Sequence, residues 1–311
     1  MDAIPEDKML RYSSDTMQAL QRLYNLGKPG DMDFAITALQ DWLKKQHHLT
    51  KKDYPRSYLE RLIIMQKGSL ERSKAQIENI CAMRTLLPEY FEIKQDEQTA
   101  KLDGLSVGLL PTLTEDHYRV LGVKFTAQKG NTKTFFKTYK FIIRLTEYVM
   151  ATDYCCGVLC ILDYRDVDIM DYIAATNVKE LYQFLKIITV GYALRLKYIH
   201  IITPSTAANT FINLVKKMVS NKIANRFYIH KTIEPLYEYV ARDKLPSDFG
   251  GHGESLVDNH RKWVEALTSK KIMEHLKEMS EAKSTQANEM KDTISDPDLG
   301  ISGSFRSLNV D

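Results

Sequence analysis

The chain has 311 residues, 44% of them hydrophobic and 27% charged, with a formal net charge of +3 at pH 7. This length allows one large domain plus a smaller helical one, the composition excludes a disordered chain, and so small a net charge gives no reason to expect a nucleic-acid partner. No run approaches the roughly 18 apolar residues of a membrane span, and residues 1–7 are acidic and polar where a signal peptide is basic and then apolar, so we expect a cytoplasmic protein.

Residues 6–92 have the pattern of helices separated by polar breaks. A turn signal at residues 27–30 precedes one apolar stripe at helical spacing, formed by Phe34, Ala38, Leu39, Trp42 and Leu43. A second helix is predicted to begin at Ser69 and to end near Pro88. The adjacent His47 and His48 cannot point to one side of a helix, so we expect surface histidines and no metal site there.

The pattern changes from residue 118. Leu121, Val123 and Phe125 alternate with smaller or polar residues, which predicts a half-buried strand. A helix follows, and then residues 155–162 are almost wholly apolar, as expected of a central strand covered on both faces. Helices over 168–175 and 178–194 and a strand over 198–202 complete an alternation that favours an α/β layer with a mainly parallel or mixed sheet.

Further elements are predicted towards the end of the chain. They are a helix over 205–219, a short strand over 226–230, helices over 232–241 and 255–283, and an extended tail over 284–311. The cysteines are too few and too clustered for a disulfide framework, and we expect reduced thiols in the core at Cys81, Cys155, Cys156 and Cys160.

Motifs of common enzymes are absent from the sequence. It has no Gly-x-Ser-x-Gly elbow, no phosphate-binding Gly-x-x-x-x-Gly-Lys-Ser/Thr loop, no Gly-x-Gly-x-x-Gly and no His-Glu-x-x-His. We therefore expect a protein that is not an enzyme and needs no cofactor or metal. Asp163 with a nearby histidine is a loose alternative for a lipid-modifying enzyme.

One stretch of the chain carries only positive charge. Between Leu185 and Ile233 there are eight lysines and arginines and no carboxylate: Lys186, Arg195, Lys197, Lys216, Lys217, Lys222, Arg226 and Lys231. Solvated helical faces normally mix both signs, so this run predicts an anionic surface as partner. The apolar positions of the helix inside it, from Ala207 to Met218, fit either a helix packed on the core or a movable lid that meets a membrane.

Several segments resemble one family. The stretch 198–202, the basic helix after it, residues 222–230 and the ending Leu-Pro-Ser-Asp-Phe-Gly-Gly at 245–251 are similar to the lipid-binding domain of the CRAL-TRIO family. The likeness is to the branch that includes α-tocopherol transfer protein and cellular retinaldehyde-binding protein. Residues 58–63 and 67–72 resemble the family's helical N-domain, and 303–308 the ending of arthropod members.

The resemblance implies a fold and a division into domains. The expected fold is α/β, with a helical N-terminal domain over 1–95, a lipid-binding domain over 96–252, and a C-terminal helix and extended tail over 253–311. In the lipid-binding domain, a mixed sheet would form the floor of an apolar pocket, and a gate helix would close it. The residues that would contact the ligand are Tyr139, Ile143, Thr146, Val158, Cys160, Leu162, Phe184, Ile187, Ile188, Leu194, Ile199, Ile201, Phe211, Leu214 and Val215.

The resemblance also implies a basic site for phosphoinositide headgroups beside the gate helix. Its residues would be Arg61, Arg195, Lys197, Lys216, Lys217, Lys222 and Arg226. Ile64 and Gln66 stand where the family commonly has arginines, so the N-domain's share of the site would rest on Arg61 alone. The expected function is a carrier that binds one hydrophobic lipid (tocopherol, retinoid, carotenoid or another isoprenoid, or a phospholipid) and moves it between membranes, meeting them transiently. The alternative is a lipid-sensing regulator that binds a protein partner through the C-terminal region.

Overall fold

A computed structural model describes residues 4, 6–93, 102, 104–127 and 129–295. The first part of the chain is helical, as predicted, with helices α1 (Thr16–Leu23), α2 (Asp31–Lys44), α3 (Arg56–Met65) and α4 (Leu70–Leu86). Ser69 caps α4 because its side chain accepts a hydrogen bond from the Arg72 amide, satisfying one of the free amides of the first turn. The helix stops before Pro88, where a 3-10 turn follows.

The second part of the chain combines helices with one sheet of five strands. In chain order its elements are β1 (Leu105–Leu109), β2 (Arg119–Phe125), α5 (Thr132–Thr152), β3 (Val158–Asp163), α6 (Ile169–Ala175), α7 (Val178–Lys186), β4 (Leu196–Ile202), α8 (Ala208–Lys217), α9 (Asn221–Ala224) and β5 (Phe227–His230). The strands lie in the order β1-β2-β3-β4-β5, with β1 antiparallel to β2 and the other pairs parallel. The predicted mixed α/β fold is confirmed.

In the second part of the chain, the structure differs from the predicted elements at three places. Strand β1 was not predicted, because its five buried residues include a glycine and show no alternation of polar and apolar positions. Residues 232–241 hold a 3-10 helix at Glu234–Glu238 in place of the predicted α-helix. The predicted helix over 178–194 continues past α7 only as a π-turn, Ile187–Gly191, a geometry that widens a helix locally.

The C-terminal region packs back onto the rest of the chain. Helices α10 (Leu256–Thr268) and α11 (Lys270–Ser280) are separated at Ser269, and α12 (Lys291–Ile294) follows a 3-10 turn. The predicted extended tail is therefore wrong for residues 284–295, where the Thr285 amide donates to the His48 carbonyl and the Tyr182 hydroxyl to the Thr293 carbonyl. The arthropod-like ending at 303–308 lies outside the described residues.

The core joins the helical part to the sheet. A continuous cluster of buried side chains includes Leu39 and Leu62 from the first helices and Ile199 and Ile201 from β4. All four cysteines are buried and free, as predicted. Among the described helices, none is both long enough and apolar enough to cross a lipid bilayer.

Candidate functional site

A cavity of about 200 Å³ lies between the sheet and helices α5 to α8. This volume lies below the range of ordinary ligand sites, about 300–1,000 Å³. The enclosed space therefore suits a small organic molecule.

The floor of the cavity is formed by side chains at alternate positions of the strands. Val158, Cys160 and Leu162 step by two along β3 and face one side. In β4 a bulge interrupts the step, because Leu196 pairs with Val158 and the next pair joins Tyr198 to Leu159. Lys197 is the extra residue, so Leu196, Ile199 and Ile201 still share the cavity side.

The structure places most of the predicted ligand-contacting residues on the cavity wall. These are Tyr139, Thr146, Val158, Cys160, Leu162, Phe184, Ile188, Leu194, Ile199, Ile201, Phe211 and Val215. Their contact with a ligand stays a prediction.

Three predicted residues do not line this cavity. Ile143 lies on another side of α5, where it lines a small second cavity next to Arg84 and Glu147. Ile187 is fully buried at the start of the π-turn. Leu214 packs into a separate apolar cluster with residues of α6, which attaches α8 to that helix.

The wall also includes residues that the sequence reasoning missed. The most informative are Leu121, Val123 and Phe125 of β2 and Leu109 of β1, which extend the floor beyond β3, and Tyr172 of α6. The alternation in β2 was visible in the sequence and could have assigned those three side chains to the same face as β3. Tyr172 had no comparable signal, because the position of α6 depends on tertiary packing.

The chemistry of the wall is apolar and neutral. Among the described residues no charged side chain lines the cavity. Most lining hydroxyls are already engaged: Thr146 donates to the Ile142 carbonyl at 2.8 Å, and Tyr172 donates to the Ala127 carbonyl at 2.6 Å. Burial raises the pKa of the Cys160 thiol to about 12, so it stays protonated and unreactive at neutral pH. Such a wall favours a hydrophobic guest.

Helix α8 lines the cavity and also carries two residues of the basic stretch of the chain. Phe211, Ile212 and Val215 line the cavity from one side of the helix. Lys216 and Lys217 belong to its last turn, where positive charge suits the helix dipole. The helix is therefore amphipathic, with its apolar side against the cavity.

Basic side chains gather where the first helices meet β4 and α9. The Arg195 guanidinium donates to the Tyr24 hydroxyl at 3.1 Å, and both Arg195 and Lys197 lie over the Tyr118 ring, at 5.3 and 5.4 Å from its centroid. Lys67 belongs to the same group, since the next residue, Gly68, lies against the Tyr24 carbonyl.

The pKa of Lys67 is lowered, first by burial and then by the positive charges of Arg195, Lys222, Arg72 and Arg226. Within the described part of the chain, no ion pair joins these five side chains to a carboxylate. We call Lys67, Arg72, Arg195, Lys222 and Arg226 the basic cluster. Sequence reasoning missed Lys67, although it follows directly on Gln66, one of the positions where the family's arginine is lacking.

Arg61 does not belong to the basic cluster. Its side chain is only 7% exposed, donates to the Tyr154 hydroxyl at 3.3 Å and lies over the same ring. The prediction that Arg61 contacts a headgroup at the surface is therefore wrong, because the guanidinium is enclosed by protein. In the N-terminal part, the basic cluster contains Lys67 and Arg72 instead.

The loose enzyme candidate also finds no support. The Asp163 carboxylate is buried and accepts two hydrogen bonds from the Arg165 guanidinium, at 2.9 and 2.8 Å. His200 and His230 hydrogen bond to each other at 3.0 Å, on the face of the sheet away from the cavity. No group of three or more possible metal ligands occurs among the described residues.

Comparisons with known proteins agree with this architecture. The CRAL/TRIO domain family matches residues 107–251. An alpha-tocopherol transfer protein-like protein of Mus musculus is 22% identical over 229 residues, and its Homo sapiens counterpart is 21% identical; each alignment covers 70% of this chain and 64% of the relative.

The chain thus spans about 64% of the length of these curated relatives. The solved structure of Sfh5 is similar with a TM-score of 0.42 and 13% identity, covering 85% of this chain and 100% of that one. The matched segment contains the whole sheet except the first two residues of β1, together with α5 to α9 and the cavity between them. Residues 107–251 of this chain are a CRAL/TRIO domain.

Proposed function

We propose that this chain is a carrier, not an enzyme, that holds one hydrophobic lipid in its cavity and transfers it between membranes. The observation that carries the proposal is the apolar, uncharged wall around about 200 Å³ of free space inside the CRAL/TRIO domain. The names of the mouse and human relatives, which describe transfer of tocopherol, support the same class of activity.

Burial of the guest would supply the affinity. Each buried methylene contributes about 0.8 kcal/mol, so about ten of them give about 8 kcal/mol. The cost of association is subtracted from this figure, so the net affinity is lower than the micromolar value to which about 8.2 kcal/mol corresponds. Moderate affinity suits a carrier, because a guest held too tightly would leave too slowly to be delivered.

Release would depend on α8 and the basic cluster. In this proposal α8 is a gate that covers the cavity in the cytoplasm and moves aside at a membrane. Each lysine near an anionic leaflet contributes about 1 kcal/mol, and phosphoinositide headgroups would give the densest charge. The membrane can open the gate only by binding the open state better than the closed one. Transient membrane contact would then be coupled to exchange of the guest.

The proposal can be tested by filling the cavity. Ile201 lines the floor from β4, so Ile201→Trp should occupy space that the guest needs and lower both lipid loading and transfer between vesicles. Val257→Trp, at a position that is 41% exposed on α10, is a matched control and should change neither. Loading is measured by mass spectrometry of organic extracts of the purified chain, and transfer by fluorescence dequenching between donor and acceptor vesicles.

Each outcome has a clear meaning. Loss of loading and transfer in Ile201→Trp alone supports the carrier. Loading without transfer in the wild-type chain would instead identify a lipid-sensing regulator. In that case charge reversal at an exposed position of the C-terminal region, such as Lys270→Glu, should weaken binding of its protein partner, whereas a carrier with this change should keep transferring lipid. No lipid in any extract and no transfer would refute the proposal.

A further inference from the structure

The two outer edges of the sheet differ in how they are covered. The edge at β1 is closed by α10, since the Leu109 carbonyl accepts hydrogen bonds from the Trp263 indole at 2.8 Å and from the Asn259 amide at 3.3 Å. His260 Nδ1 of the same helix lies 2.8 Å from the Val107 carbonyl oxygen. At the opposite edge, no described helix or strand other than β4 makes extended contact with β5. The edge at β5 is therefore open to a partner.

The backbone of β5 turns every second residue away from the sheet. The strand is parallel to β4, and its Arg226 and His230 carbonyls accept hydrogen bonds from β4 amides. Because the direction of backbone groups alternates along a strand, the amides and carbonyls of Phe227 and Ile229 point away from β4. In the described part of the chain, no backbone hydrogen bond reaches these groups. They are the donors and acceptors that a further strand needs.

Strand β5 lacks the features by which proteins usually prevent a strand from adding to an open edge. Its residues, Phe227–His230, include no proline, lysine or glutamate, and its pairing with β4 has no bulge. Aromatic and β-branched residues favour strand structure. The Tyr228 ring lies 5.8 Å from the Tyr198 ring and 5.7 Å from the Tyr239 ring, centroid to centroid. These rings offer an apolar surface to the side chains of an added strand.

The charge around this edge selects the kind of partner. Arg226 directly precedes β5, and Lys231 directly follows it and is exposed. The sequence has no carboxylate from residue 186 to residue 232. A second copy of this chain, paired through its own β5, would bring Arg226 and Lys231 against like charges, which is destabilising. A strand that carries carboxylates at its ends would meet opposite charges instead.

We propose that β5 is a docking site for an extended acidic segment of a partner protein, which adds a strand to the sheet. Backbone hydrogen bonds to Phe227 and Ile229 hold the segment, and its carboxylates pair with Arg226 and Lys231. The site is distinct from the cavity. Phe227 nevertheless lines the cavity with its side chain, so the partner binds the backbone of a strand that forms part of the cavity wall.

Amide hydrogen exchange of the full chain, followed by NMR, tests the docking residue by residue. The probe is a peptide of alternating threonine and valine with two glutamates at each end. It should slow exchange of the Phe227 and Ile229 amides and leave the Tyr228 and His230 amides, which already face β4, unchanged. The same peptide with N-methyl groups on its central amides keeps its charges but loses its donors, and it should slow none of them.

Two variants separate the backbone contribution from the charge contribution. Ile229→Pro removes one outward amide, a change that an edge strand tolerates, and should lower the affinity for the glutamate peptide roughly 2–12-fold, the effect of one hydrogen bond. Lys231→Ala should lower it about 1.4–5-fold, the effect of one exposed ion pair, and should not change the affinity for a peptide that ends in glutamine. Lys270→Ala, on a side chain that is 91% exposed in α11, is the control and should change neither. Calorimetry measures the affinities, and circular dichroism checks that Ile229→Pro is folded.

The outcomes are distinct. Slower exchange at Phe227 and Ile229 with the unmethylated glutamate peptide alone supports the docking site. Equal protection by the N-methylated peptide, equal affinities for the glutamate and glutamine peptides, or no protection at either amide would overturn it. Protection of these amides by anionic vesicles and not by the peptide would assign the edge to a membrane and would also overturn it. None of these results depends on lipid loading, so the carrier function is tested separately.

Discussion

The buried carboxylate of Glu147 should be among the most sensitive single positions for the stability of the cavity. It lies on α5, the helix that forms one cavity wall, and accepts hydrogen bonds from the Arg84 guanidinium of α4 at 2.8 Å, the Tyr192 hydroxyl at 2.9 Å and the Tyr58 hydroxyl at 3.2 Å. His275 of α11 lies 3.4 Å away. The Arg84 side chain is only 1% exposed. The Arg84–Glu147 ion pair therefore lies where α4, α5 and α11 meet.

The expected cost of breaking this pair follows from burial. In Glu147→Gln the Arg84 charge stays buried without a counter-charge, which typically costs about 3–5 kcal/mol of the free energy of unfolding. Replacing both residues, as Arg84→Met with Glu147→Leu, removes the charge together with its partner and should cost less than either single change. The matched control is Glu278→Gln, since Glu278 pairs with Lys51 at a carboxylate that is 56% exposed, and should cost about 1 kcal/mol or less.

The measurement is urea unfolding at pH 7, followed by circular dichroism. A loss below about 1 kcal/mol in Glu147→Gln, or a double variant that is less stable than both single ones, would refute the reasoning. The pH dependence gives a second check. The pKa of Glu147 falls from 4.5 to about 2, because Arg84 and hydrogen bonds outweigh burial. The contribution of ionised Glu147 to the free energy of unfolding is therefore complete above pH 4.5 and is lost as the pH falls towards 2. The variant Glu147→Gln should lack this part of the loss of stability in acid.

Two further predictions concern the membrane and the gate. The double variant Lys67→Ala with Lys222→Ala should weaken binding to phosphoinositide vesicles by about 30-fold at low salt, at about 1 kcal/mol per lysine. The control Lys270→Ala, on a side chain 91% exposed in α11, should not weaken it. Equal binding of the double variant and the wild-type chain in a sedimentation assay would show that the basic cluster does not contact the membrane. Phe211→Asp, which puts a charge on the cavity wall, should lower lipid loading measured by mass spectrometry, and full loading would show that Phe211 does not touch the guest.

Local periodicity predicted the parts of the site that depend on one element. The two-residue step in β3 placed Val158, Cys160 and Leu162 on one face, and the structure puts all three on the cavity wall. Ile143 was assigned to the wrong side of α5, because apolar side chains cover much of this helix. The sequence alone does not show which side of the helix faces the sheet. A helix buried on several sides gives no single stripe to read.

The other predictions that the structure corrects depend on contacts between segments that are distant in the sequence. Arg61 was expected at the surface because nothing in the sequence shows that Tyr154, more than ninety residues later, covers its guanidinium. Lys67 was missed because its link to the basic cluster depends on how the first helices lie against β4 and α9. Residues 284–295 have polar composition, yet they bind His48 and Tyr182 through backbone groups, which composition does not record.

The bulge in β4 inserts one residue that faces away from the cavity and leaves the floor residues on either side of it in place. Lys197 is the inserted residue, and its ammonium group lies between the rings of Tyr118 and Tyr198 while Leu196 and Ile199 keep their places on the floor. A substitution at position 197 can therefore alter the outer charge and leave the inner shape untouched. Under the proposed function, a change at this position alters membrane contact and leaves the space for the guest as it is.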